Sequence, residues 1–126
     1  MIDIQDLFAP PGGWRVRIID HSGGAEDGIV EEIGGFPTLM LANAFARAYV
    51  RDSIERCRHT GAADADAVLA AWHAYGEDAE VLAAGEAGWR SESECEAFAA
   101  VAALAEERNW RALDPRAEAG EDEDET

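Results

Sequence analysis

The chain has 126 residues, 48% of them hydrophobic, with 27 acids against 10 basic residues and a formal net charge of −17. That length suits one domain, and this apolar content argues against disorder of the whole chain. So acidic a surface disfavours direct contact with nucleic acid or anionic membranes, both of which recruit Lys and Arg, and no stretch approaches the roughly 18 apolar residues of a membrane span.

Every basic residue is Arg. Residues 1–60 carry nine acids against six arginines, whereas residues 61–126 carry eighteen against four. Such polarisation points toward a positively charged partner. The start, Met1-Ile2-Asp3-Ile4-Gln5-Asp6, lacks the basic region of a secretory signal, and two cysteines are too few for a disulfide scaffold. Both favour a cytoplasmic setting.

Ala9-Pro10-Pro11-Gly12-Gly13 breaks the chain before Trp14-Arg15-Val16-Arg17-Ile18, whose two-residue alternation predicts a half-buried strand. His21 to Gly28 is turn chemistry, and Ile29-Val30-Glu31-Glu32-Ile33 predicts a returning strand ended by Gly34-Gly35. Thr38 caps a long helix from about Leu39 to Arg58. Its apolar face is Leu39, Ala42, Ala46, Tyr49, Val50, Ser53 and Cys57, and Arg47, Arg51 and Arg58 share another face near Glu55. Asp64 or Asp66 caps a shorter helix through Tyr75, with Gly76 suited to a left-handed position after its end. Ala79–Ala83 predicts a third strand. Ser91-Glu92-Ser93-Glu94 has the capping-box pattern and opens an Ala-rich helix to about Arg108.

The expected fold is α+β: a small antiparallel sheet of two to three strands with about three helices packed on one face, in the order ββααβα. It forms a single domain over residues 1–116. Residues 117–126 hold six acids, no base and no large apolar group, and predict a disordered acidic tail.

Asp20, His21 and Ser22 form the most enzyme-like stretch, a carboxylate, an imidazole and a hydroxyl in one loop. Adjacent residues do not point at one another, however, and Asp, Ser and Gly are turn formers. The loop lacks the Lys and Gly spacing of a phosphate cradle. Cys57 lies between Arg56 and Arg58, which favour a thiolate, but it falls on the apolar face of its helix. Cys95, flanked by Glu94 and Glu96, is expected to be inert. His59, Asp64 and His73 with Cys57 match no zinc spacing, so no metal, cofactor or catalytic residue is assigned.

Four tryptophans, Trp14, Trp72, Trp89 and Trp110, suit gap filling in an Ala-rich layer better than an aromatic cage. Trp89 and Trp110 sit at element ends, where partial exposure is expected. The candidate partner-binding residues are Arg47, Arg51, Arg58 and Trp110, although internal pairing with carboxylates is the more ordinary use of the three arginines in an acidic protein.

The functional expectation is a non-enzymatic interaction or regulatory module of a bacterial cytoplasm that binds a basic protein surface. One alternative is a DNA-mimic inhibitor or immunity-type protein. Another is a small enzyme or ligand-binding domain using the Asp20-His21 loop.

Overall fold

The structure, a computed structural model, describes residues 9–22, 28–59 and 64–116. The acidic tail expected at 117–126 lies outside them. Alternation of Trp14, Val16 and Ile18 with Arg15 and Arg17 puts three apolar side chains on one face of strand β1 (Trp14–Asp20), and all three are buried. β1 is the central strand, flanked by β2 (Ile29–Phe36) and β3 (Glu77–Val81), both antiparallel to it. Ile33 and Phe36 of β2 and Ala79 and Val81 of β3 complete the buried face. The opposite face is polar, with Arg17 between Glu32 and Glu80.

Two strand boundaries differ from the sequence reading. β2 runs through Gly34-Gly35 to Phe36 instead of stopping there. The register moves from Val16↔Ile33 to Trp14↔Phe36, so β2 holds one extra residue, and Gly35 takes it up at φ +90°. β3 starts two residues earlier than expected and stops at Val81, before Ala83 turns the chain at φ +64°.

Helix α1 (Leu39–Arg58) begins where Thr38 Oγ1 accepts the Leu41 amide at 3.1 Å. Its whole anticipated apolar face is buried, and Phe45 and Ile54 add to it. Burying side chains of that size contributes about 1.5–3 kcal/mol each. α1 packs on all three strands, whereas α2 (Ala65–Tyr75) and α3 (Cys95–Ala100) pack on α1 and on each other. α1 is therefore covered from more than one side, and its charged residues Arg51 and Glu55 are buried as well. The fold is α+β, and no helix among the described residues is long and apolar enough to cross a membrane.

Asp64 caps α2 by accepting the Ala67 amide at 2.8 Å. Gly76 follows its end, but at φ −85° it is not left-handed. Space explains the glycine: a Cβ there would lie 2.2 Å from Cδ1 of the buried Trp72.

The third helix departs most from expectation. A 3-10 turn spans Ser91–Ser93, α3 ends at Ala100, Val101 is extended, and 3-10 turns follow at Ala105–Arg108 and Trp110–Leu113. The capping box does not form because both of its side chains are recruited elsewhere. Ser91 Oγ donates to Asp78 Oδ2 at 3.0 Å, and the Glu94 carboxylate receives Arg47 and Trp89 Nε1.

Candidate functional site

The arginine stripe of α1 ends on the chain that follows it, where Arg51 and Arg58 hold the C-terminal end of α3 and Arg47 holds Glu94 just before its start. Arg58 donates to Phe98 O at 2.9 Å and Ala99 O at 3.0 Å, and to both oxygens of Glu55. Arg51 donates to Phe98 O at 3.0 Å, and its guanidinium sits 4.6 Å from the Phe98 ring centroid. Arg47 pairs with Glu94 through two hydrogen bonds of 2.7 and 2.9 Å and covers the same ring. The last carbonyls of a helix have no intrahelical donor, and cations there also meet the negative end of its dipole. These contacts explain why the helix stops at Ala100.

The ion pairs shift the acids that make them. A hydrogen bond from Arg47 holds Glu94 below the usual carboxylate range. Burial pushes Glu55 up, but the hydrogen bonds and charge of Arg58 outweigh it and leave Glu55 lowered.

Trp110 is half-buried, and its ring packs 4.9 Å from Tyr49 with Arg111 stacked on it. Its indole N–H donates to Asp52, which also receives Arg108. Asp52 thereby ties the C-terminal turns to α1. Its spacing to Arg56 marks a helical ion pair, but nothing in the sequence connects it to residues 108 and 110.

The structure separates His21 from Asp20 and Ser22. Asp20 Oδ1 accepts the Ser22 amide at 2.8 Å, a local turn whose hydrogen bonds lower the Asp20 carboxyl. The His21 ring points the other way and donates Nδ1–H to Trp72 O at 2.9 Å, a tautomer assigned from the carbonyl acceptor. His21 packs edge-on against Trp72 at 4.7 Å and stacks toward His73 at 6.1 Å. Among the described residues, neither His21 nor His73 hydrogen-bonds a hydroxyl or a thiol. No activated nucleophile is assembled there.

Both imidazoles instead line a cavity of about 530 Å³ beside β3. Its other walls are Ile19, Trp72, Asp78–Ala83, Trp89, Ser91 and Cys95, with Glu80, Arg90 and Glu92 exposed. Asp78 reaches over the strand edge, accepting the Ala79 amide at Oδ1 and Ser91 Oγ at Oδ2. Burial pushes the Cys95 thiol up, and the charges of Glu96 and Asp78 add to it. A thiol kept protonated is a poor nucleophile. The cavity combines aromatic surface with acceptors converging from β3 and the loop after it. The sequence offered Asp20 and His21 as the pair; the structure sets His21 against Trp72 and His73 instead, in a cavity that Asp78 and Trp89 also line.

Among the described residues, no group of three or more His, Cys, Asp or Glu side chains converges to hold a metal ion. The chain matches no family model, curated protein or solved structure.

Proposed function

We propose that the protein is a non-enzymatic interaction module that docks a basic protein surface through its acidic second half. The observation that supports this reading is the distribution of ion pairs. Among the described residues, seven of the ten arginines pair internally: Arg17, Arg47, Arg51, Arg56, Arg58, Arg108 and Arg116. Much of the fold's positive charge is thereby matched by its own carboxylates, at exposed positions such as Arg56 and Arg116 as well as buried ones. Asp66, Glu86, Glu92, Glu96 and Glu106 remain exposed with no ion pair among the described residues. Four of these five lie between residues 85 and 107, and a partner's Lys or Arg would gain contacts there that the protein's own arginines do not make.

An arginine-rich peptide titrated calorimetrically at low and high salt tests the reading. Three forms are compared: the full chain, a chain lacking residues 117–126, and a chain with Glu86, Glu92, Glu96 and Glu106 changed to Gln. Binding that weakens steeply with salt, survives removal of the tail and falls at least tenfold in the four-Gln form is the expected result. Binding lost with the tail and kept in the four-Gln form overturns it and leaves a simple acidic peptide ligand.

A further inference from the structure

The cavity beside β3 carries a more specific signal than surface charge. β3 is an edge strand, and its ladder bonds to β1 run through alternate residues. His21 N donates to Gly76 O and Leu82 N to Arg15 O, so within the strand Asp78 and Glu80 face β1. Glu77, Ala79 and Val81 turn their backbone groups to the free edge. At Glu77 these groups are satisfied by Ser53 Oγ and Trp72 Nε1, and the Ala79 amide is satisfied by Asp78. The Ala79 carbonyl and the Val81 amide and carbonyl have no partner among the described residues, although both residues are buried and line the cavity. Buried backbone groups are nearly always paired, with protein, water or a ligand.

The charged and aromatic groups around the two carbonyls indicate what would pair with them. Asp78, Glu80 and Glu92 line the cavity against a single cation, Arg90, and Trp89 and His73 contribute ring surface. Carbonyls, carboxylates and rings are together rich in acceptors and poor in donors. Their complement is a planar cation with several N–H donors, able to bond more than one acceptor while stacking on an aromatic face. An ammonium is a compact, strongly hydrated charge that gains less from the rings.

We infer that this cavity receives the guanidinium of an arginine side chain from the partner, an inference that rests on the proposed docking of a basic protein. The guanidinium donates to the Ala79 and Val81 carbonyls and to Glu80 or Glu92. Asp78 holds the edge open through Ser91 and takes no direct part.

The test uses the full chain labelled with ¹⁵N, titrated with N-acetyl-arginine amide and with its lysine and citrulline counterparts. Arginine is expected to shift the Ala79 and Val81 amide signals and the Trp89 indole signal, lysine to do so at least threefold more weakly, and neutral citrulline not at all. Glu92→Gln is expected to weaken the arginine response at least threefold, and Arg90→Gln, which removes the competing charge, to strengthen it. Equal responses to lysine and arginine, or shifts confined to Glu86, Glu96 and Glu106, overturn the inference. If the arginine-rich peptide still binds in that case, the acidic docking surface stands without an arginine pocket. If that peptide fails to bind even at low salt, the docking reading itself falls.

Discussion

Replacing Arg58 by methionine removes the guanidinium that bridges α1 and α3 while keeping most of the side-chain volume. The Glu55 side chain is 3% exposed and that of Arg58 23%, with 2.8 Å between their charged atoms. Removing one partner of a fully buried pair costs about 3–5 kcal/mol, because the other charge is left without compensation. Arg58 keeps some access to water, so the lower figure, about 3 kcal/mol, is expected. For a domain of this size about 4 °C of Tm per kcal/mol makes this a fall of about 12 °C. Urea unfolding followed by tryptophan fluorescence measures the loss directly.

The pH dependence supplies a second check on the same variant. In the native protein Glu55 is held below its ordinary value. Its contribution is therefore fully present above the unfolded carboxyl pKa and is lost as the pH falls through the folded one. In Arg58→Met burial is opposed only by the Ala103 amide and the more distant Arg51 charge, so the Glu55 carboxyl moves up from its native position and protonation on acidification relieves the variant. Its deficit is expected to be largest near pH 7 and to narrow toward pH 4. A deficit below about 1 kcal/mol, or one unchanged between the two pH values, refutes the assignment of Arg58 as the cap of α3.

Three further outcomes bear on the fold. Gly76→Ala places a methyl 2.2 Å from Trp72 Cδ1 and is expected to cost at least 1–3 kcal/mol in urea unfolding, as overpacking does; a neutral result would displace Trp72 from its assigned position. Asp64→Ala removes the α2 cap bond and is expected to cost about 1 kcal/mol, with Asp64→Asn restoring most of it. Burial pushes both the Cys57 and Cys95 thiols up, so a disulfide reagent at neutral pH should label the native chain at least tenfold more slowly than the urea-unfolded chain; equal rates would show the thiols to be exposed.

Periodicity carried much of the architecture. The alternation around Val16 and the 3.6-residue spacing of Leu39, Ala42, Ala46, Val50 and Cys57 depend on which face of an element meets the core, and that is a local property. The caps at Thr38 and Asp64 were legible for the same reason, since each satisfies an amide three residues away. The break of the third helix was not legible. The Ala-rich run from Cys95 has helical propensity throughout, and arginines about forty residues earlier capture its carbonyls.

The sequence by itself determined a small acidic α+β chain, because composition and periodicity follow from the order of residues alone. It left the arginine stripe with two uses, outward toward a partner or inward toward carboxylates. Tertiary structure supplied the inward pairing: α3 and the turns after it bring Glu94, Glu107 and the Phe98 carbonyl onto the stripe, and a desolvated guanidinium such as that of Arg51 must be met by such acceptors. It likewise took His21 away from Asp20 and set it in the wall of the β3 cavity. Each of these pairings spans about forty residues or more, and only folding brings such groups together.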